Sequence, residues 1–265
     1  MPLILITNDD GYQAAGIQAL AQTVAPFAEV YVVAPDGARS GSAASITSTR
    51  PVSYRKLSSP PIPHPSIHWY ACTGTPVDCV KLAWEQIVPR RPDLILSGIN
   101  HGDNASISVH YSGTMGAVLE GCLKGIPSVG VSLWLPNRER YEDVPVNEET
   151  LSALACLCQR ITEEGLPQDV CLNINIPPSH TFRGWQVCRQ ARGLWSSEWA
   201  DAANPFGQKA FWLTGTFTDL EPEALDTDFS ALRAGYCSIV PITVDMTAHH
   251  ALDQINRLTG KHGKA

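Results

Sequence analysis

Two adjacent carboxylates, Asp9 and Asp10, stand just beyond the apolar run Leu3-Ile4-Leu5-Ile6, after Thr7-Asn8. Like charges this close push one group towards protonation unless a cation sits between them. Hard divalent cations take oxygen ligands, and a Mg²⁺-type site commonly uses one or two carboxylates plus neutral oxygens. Ser40 and Asn100 can supply such oxygens, because each also follows an apolar run. A second kind of chemistry is written in Ser112-Gly113-Thr114, which reads as a helix N-terminus with two hydroxyls and a glycine. Free N–H groups and the positive end of the helix dipole suit a phosphate there, and Gly113 lets the anion reach the backbone. Alone, Asp9-Asp10-Gly11 would make a turn and cap a helix, and Ser112 would be an ordinary cap. Their meaning comes from being brought together.

The elements that would do this alternate regularly. Residues 3–6 form a buried strand, and Ile17, Leu20, Val24 and Phe27 give residues 16–27 a helical spacing. Val30 to Ala34 is a second strand. Strand, helix and strand with short links make a right-handed βαβ unit. Thr75-Pro76 opens a helix over 76–87, with proline at the first helical position. Leu94-Ile95-Leu96 is a strand ending in Ser97-Gly98-Ile99-Asn100, and a helix over 113–124 leads to a strand over 129–133. A helix over 148–163 and a strand over 170–176 follow. The pattern predicts an α/β fold: a Rossmann-like, mostly parallel sheet with helices on both faces. Ligands in such sheets gather beyond the carboxyl ends of the strands, where all four polar segments should meet.

Beyond about residue 180 the pattern changes to short β-like runs (185–189, 211–214, 236–244) between loops rich in Gly, Asp and Pro. The expected organisation is an α/β catalytic domain over 1–180 and a β-rich appendage over 181–265. Residues 58–66 read as a proline-stiffened loop, residues 134–147 as an insert, and 260–265 as a frayed tail.

Composition narrows the partners. With 19 Lys and Arg against 26 Asp and Glu, the net charge is −7. No basic run exceeds Arg90-Arg91, which argues against binding a nucleic-acid polymer. No stretch of about 18 apolar residues predicts a membrane span. The first residues lack the basic segment of a secretory signal, and the eight cysteines include no C-x-x-C pair. A cytoplasmic protein with free thiols is the expectation. Neither G-x-G-x-x-G nor G-x-x-x-x-G-K-[ST] is present, nor a G-x-S-x-G elbow or an H-E-x-x-H pair. The adjacent spacing of Asp9 and Asp10 also differs from the D-x-D of haloacid-dehalogenase-type phosphatases. His110, two residues before Ser112, reads first as a surface histidine.

Taken together, these segments resemble the SurE family of survival-protein nucleotidases. The resemblance rests on Ile-Thr-Asn-Asp-Asp-Gly (6–11), Val-Ala-Pro-Asp (33–36) with Arg39-Ser40-Gly41, and Thr-Gly-Thr-Pro-Val-Asp-Cys-Val (73–80). It continues through Pro-Asp-Leu-Ile-Leu-Ser-Gly-Ile-Asn (92–100) and Tyr-Ser-Gly-Thr (111–114), then Leu-Asn-Ile-Asn-Ile-Pro (172–177) and Thr227-Asp228-Phe229. The first five of these blocks, in order, are together far more specific than any one. The stretch Ala105-Ser106-Ile107-Ser108 departs from a segment usually rich in glycine and aspartate.

The resemblance implies one divalent metal ion per subunit, Mg²⁺ or Mn²⁺, held by Asp9, Asp10, Ser40 and Asn100. It implies phosphate contacts from Asn104, Ser112, Gly113 and Thr114. The implied activity is hydrolysis of nucleoside 5′- and 3′-monophosphates, with short polyphosphate as a further substrate. Asp9 and Asp10 would be the catalytic residues, Asp9 as base or as nucleophile. The implied assembly is a homodimer or homotetramer that exchanges the C-terminal segment. The rival readings are a non-catalytic nucleotide sensor using the same pocket and a cofactor-dependent oxidoreductase.

Overall fold

The computed structural model describes residues 1–136, 145–203 and 205–259. Most of the insert expected at 134–147 and the tail at 260–265 lie outside the described residues. In chain order the strands are β1 (Leu3–Thr7), β2 (Glu29–Pro35), β3 (Tyr54–Lys56), β4 (Ile67–Cys72), β5 (Leu94–His101), β6 (Ser128–Leu133) and β7 (Val170–Ile176). They continue with β8 (Trp185–Val187), β9 (Gly193–Ser196), β10 (Trp199–Ala202), β11 (Ala210–Leu213), β12 (Thr216–Asp219) and β13 (Cys237–Thr243). The α-helices are α1 (Ala15–Val24), α2 (Pro76–Leu82), α3 (Gly113–Leu123), α4 (Glu148–Glu164), α5 (Asp228–Arg233) and α6 (Leu252–Leu258). No helix among the described residues is long and apolar enough to cross a membrane.

Nine strands form one sheet in the order β3-β4-β2-β1-β5-β6-β7-β13-β8. From β4 to β7 every pairing is parallel, while β3 and β13 run antiparallel to their neighbours β4 and β7. The chain builds outward from β1 to β2 and β4, then returns to β5 on the other side of β1. The β1–β5 seam is therefore the topological switch point, where doubly wound sheets open a crevice.

The central strands are apolar throughout because both faces are covered. Ile4 and Ile6 of β1 pack with Ile17, Leu20 and Val24 of α1, in a cluster that also takes Leu154, Cys158 and Ile161 of α4. The alternate residues Leu3 and Leu5 face Cys79 and Val80 of α2 and Ala117 of α3. Thr75 starts α2 through a capping box with Asp78, and Asn147 caps α4 by accepting from the Thr150 N–H. The expected helix over 76–87 is α-helical only to Leu82 and ends in a π turn over Ala83–Ile87.

Residues beyond 180 divide between two structures. β8 and β13 extend the main sheet past β7. β9 pairs with β12, and β10 with β11, making a long two-stranded arm. The arm bends where Ser197 and Glu198 oppose Thr214 and Gly215, and Ser197 and Gly215 take positive φ there. α5 and α6 were not among the elements expected from sequence. Neither were β3 and β4, which flank the segment read as a proline-stiffened loop. All eight cysteines are free.

Two glycines fix the crevice. Gly98 takes φ +131° within a register shift between Ser97 and Asn100, and a Cβ there would lie 2.1 Å from the Val131 carbonyl oxygen. Gly16 brings α1 against the same bulge, where a Cβ would lie 1.9 Å from the Ile99 oxygen. A Gly16→Ala change gains about 1 kcal/mol of helix propensity but must displace backbone. A net loss of roughly 1–3 kcal/mol in urea unfolding is expected. Gly37→Ala, with nothing within 4 Å of the new methyl, should stay within about 0.5 kcal/mol of the parent.

Candidate active site

The end of β1 is shaped by Asn8, whose side chain accepts from the Gly11 N–H at 3.1 Å and donates to the Gly11 oxygen at 3.0 Å. This closed loop presents Asp9 and Asp10 at the switch point. Asp9 is buried; its Oδ1 accepts the Thr114 hydroxyl at 2.7 Å, and its backbone oxygen accepts the Arg39 N–H at 2.6 Å. Asp10 Oδ2 accepts the backbone N–H of His101, at the end of β5, at 3.1 Å. Each carboxylate thus ties β1 to a different element.

The N-terminus of α3 abuts this loop. A Cβ on Gly113 would sit 2.5 Å from Ser42 Oγ and 2.8 Å from Asp9 Cβ, so only glycine permits the approach. Ser112 caps the helix by accepting from the Met115 N–H at 3.0 Å. The Ser42 hydroxyl beside Gly113 is buried without a partner. An unpaired buried polar atom costs about 1–3 kcal/mol unless a ligand or water supplies the bond.

The electrostatics are unbalanced. Burial, and then the neighbouring charge of Asp10, push the Asp9 carboxyl up to about 6 despite the Thr114 hydrogen bond. Burial also raises Asp10, opposed by the His101 N–H. No lysine or arginine pairs with either carboxylate among the described residues; the nearby Arg39 is engaged by Asp36 at 2.8 Å. A cation would complement such a pair. The donors match a hard one: Asp9, Ser40 and Asn100 line the same cavity, with Asp10 beside it. The Asn100 Nδ2 donates to the Gly102 oxygen at 2.7 Å, which leaves its carbonyl oxygen as the free acceptor. No cluster of three or more His, Cys, Asp or Glu groups exists among the described residues. Any ligand set must therefore combine carboxylates with neutral oxygens, the mixture that suits Mg²⁺ or Mn²⁺.

Asn104 and Ser112 line this cavity, which measures about 570 Å³. Asn104 is held rigidly: its N–H donates to Asn175 Oδ1 at 2.8 Å, its Nδ2 to Ser132 Oγ at 2.7 Å, and its oxygen accepts from Asn173 at 2.8 Å. Thr114 sits elsewhere than expected. It is fully buried behind Asp9 and orients that carboxylate, while Ser112 and Asn104 remain at the cavity wall.

Sequence reasoning missed several parts. Asn173 and Asn175 carried a signal, since polar residues alternating within Leu-Asn-Ile-Asn-Ile must point inward to a partner. The far wall, made by Trp195, Glu198, Leu213 and Thr214 of the arm, carried none. Asp228 is fully buried and accepts from the N–H groups of Ser106, Ala191 and Phe229 at 2.7, 3.0 and 2.9 Å. It fastens the loop after Asn104 to the base of the arm.

A Rossmann-like sheet with paired carboxylates and a helix tip at its switch point defines a class of α/β proteins that handle anionic ligands. The comparisons place the chain within that class. The survival protein SurE family matches residues 4–197, and the chain belongs to that family. It is 45% identical over 254 residues to the 5′-nucleotidase SurE of Phocaeicola vulgatus, covering 96% of this chain and 95% of that protein. It is 47% identical over 255 residues to the 5′-nucleotidase SurE of Bacteroides thetaiotaomicron, with the same coverage. The crystal structure of the Sure protein from Aquifex aeolicus superposes with a TM-score of 0.79 at 32% identity, covering 97% of this chain and all of that one.

Next to the site, burial raises Asp103 from 3.8 to about 6, with the Asp228 charge adding to it. The folded chain therefore holds this proton more tightly than the unfolded chain. The stability it contributes is complete below about pH 4 and is lost as pH rises through 6. Asp103→Asn keeps the acceptor for the Ala105 N–H but cannot ionise. Its unfolding free energy should match the parent near pH 4 and exceed it by roughly 3 kcal/mol above pH 7. Urea titrations at the two pH values check this, and a pH-independent difference would contradict it.

Proposed function

We propose that the chain is a phosphomonoesterase that hydrolyses nucleoside 5′-monophosphates to nucleoside and phosphate. The observation that carries this reading is the Asp9–Asp10 pair, the first buried and the second half-buried, without a lysine or arginine partner among the described residues and set against the N-terminus of α3. The names of the relatives from Phocaeicola vulgatus and Bacteroides thetaiotaomicron support the substrate class. In this reading one Mg²⁺ or Mn²⁺ per subunit is held by Asp9, Asp10, Ser40 and Asn100. When bound, such a cation neutralises phosphoryl oxygens and acidifies water. The chain's own groups do the rest. Ser112 and the N–H groups at the start of α3 grip the phosphoryl oxygens, helped by the helix dipole. Asn104, braced by Ser132, Asn173 and Asn175, fixes the ester in one orientation. Asp9, oriented by Thr114, either takes the proton of a water that attacks phosphorus as the P–O ester bond breaks, or attacks phosphorus itself to form an aspartyl phosphate that water then hydrolyses. In both cases the nucleoside leaves as its alcohol.

The same site accommodates 3′-monophosphates and the terminal phosphate of short polyphosphate, since the grip acts on the phosphoryl group. The outer arm exposes Trp199, Phe211, Trp212 and Leu213. Such an apolar patch suits contact between subunits, as a homodimer or homotetramer.

Phosphate release from adenosine 5′-monophosphate should stop on chelation and return with Mg²⁺ or Mn²⁺. Asp9→Asn should lower kcat by at least about 10³-fold while the far-ultraviolet circular dichroism is unchanged. Turnover near the parent's in that variant would refute the assignment. Nucleotide-induced thermal stabilisation without phosphate release at any metal concentration would instead identify a sensor.

A further inference from the structure

The cavity is larger than a phosphoryl group needs. At about 570 Å³ it falls within the roughly 300–1,000 Å³ typical of organic-ligand sites. Its two sides differ in chemistry. The sheet side carries Asp9, Asn100, Asn104 and Ser112, all already used in handling the phosphoryl group. The arm side carries Trp195, Glu198, Leu213 and Thr214, which have no part in that chemistry.

These arm residues come from one structural feature, the bend between the β9–β12 and β10–β11 pairs. The Thr214 N–H donates to the Glu198 oxygen at 2.7 Å across it. Gly215, at φ +136°, makes room for two neighbours. A Cβ there would meet the Trp195 ring at 3.1 Å and the Glu198 Cγ at 3.5 Å. Trp195 is further held in an edge-on contact with Phe217, ring centroids 5.4 Å apart, and Phe217 packs on Phe229 at 5.1 Å. The indole is therefore positioned from behind by an aromatic chain that reaches α5. The Glu198 carboxylate makes no side-chain hydrogen bond or ion pair among the described residues.

We propose that the bend of the arm is the base-recognition wall of the site, with Trp195 as the stacking surface and Glu198 as the hydrogen-bond acceptor for the base edge. This rests on the phosphomonoesterase reading and adds to it the class of nucleotide preferred. A carboxylate offers two acceptors side by side. Guanine presents two adjacent donors, N1–H and the N2 amino group. Adenine, cytosine and uracil each place an acceptor next to their donor, which a carboxylate repels. The preferred substrate is accordingly guanosine 5′-monophosphate.

The test compares four esters (guanosine, adenosine and uridine 5′-monophosphates, and ribose 5-phosphate) on the full chain with Mg²⁺ or Mn²⁺. The variants are Trp195→Ala, Trp195→Phe and Glu198→Ala. The parent should favour the guanine nucleotide. Stacking on an aromatic ring typically contributes enough that Trp195→Ala should cost about tenfold in kcat/KM on all three nucleotides, chiefly through KM. Ribose 5-phosphate, which has no base, should change less than about twofold. Trp195→Phe should retain activity within about threefold, which separates loss of stacking from damage to the arm. Glu198→Ala should reduce the guanine-to-adenine ratio by about fivefold or more, the scale of one bidentate base contact. Equal losses on ribose 5-phosphate, or an unchanged base preference in Glu198→Ala, would overturn the proposal. If the parent released phosphate from none of the esters, the phosphomonoesterase reading would fail first. Calorimetric binding of guanosine 5′-monophosphate to parent and Glu198→Ala would then decide the wall's role separately, equal affinity overturning it.

Discussion

The organising constraint of this molecule is the negative charge buried at the end of β1. Two consecutive carboxylates, Asp9 buried and Asp10 half-buried, stand at the centre of the sheet with no lysine or arginine partner among the described residues. The Thr114 hydroxyl and the Gly113 N–H bond Asp9, and the His101 N–H bonds Asp10. Such bonds orient a carboxylate without cancelling its charge, which is why Asp9 remains at about 6. An arginine or lysine in their place would stabilise the fold and occupy the site permanently. Keeping Arg39 on Asp36 leaves the charge to be met by a ligand. In the proposed function a divalent cation would offset the two carboxylates, and the added charge of the phosphoryl group would face the positive end of α3.

That arrangement demands close approaches, and glycines supply them. Gly113 lets α3 touch Asp9, Gly16 lets α1 reach the bulge of β5, and Gly98 lets that bulge fit against β6. Behind the bulge, Asn104 is pinned by Ser132, Asn173 and Asn175 from β6 and β7. Four consecutive strands of the sheet order, β1, β5, β6 and β7, thus each contribute a group to the site or a brace behind it. The sheet's hydrogen bonding fixes their relative positions, so catalytic geometry depends on the core as a whole rather than on loops.

Much of this frame was legible in sequence because a strand covered on both faces is apolar at every position, as in Leu3–Ile6 and Leu94–Leu96. Those runs also locate their own polar ends, which is how Asp9, Asp10, Asn100 and Ser112 could be gathered at one edge before any coordinates. β4 escaped because His68 and Tyr70 break its apolar run and Pro-rich residues precede it. Of the arm only β11 was legible, as the run 211–214; β9, β10 and β12 escaped because they are four residues long and largely exposed. Thr114 was read as a phosphate ligand because its helix-terminal position is visible in sequence while its packing against Asp9, 105 residues away, is not. Asp228 had no readable role for the same reason, since Ser106 lies 122 residues from it.

The anchoring of the arm explains how two demands coexist in one cavity. Phosphoryl chemistry needs donors held to a fraction of an ångström, which a nine-stranded sheet provides. Selecting among esters needs a wall that can differ in sequence without disturbing those donors. The arm meets this second need because its link to the sheet is concentrated at its base, through Asp228 and the Trp195–Phe217–Phe229 ring contacts. Its bend, where Glu198 and Thr214 reach the cavity, contributes nothing to the main sheet's hydrogen bonding. Substitutions at the bend therefore act on what is bound, whereas substitutions at Asp228 act on where the whole wall stands.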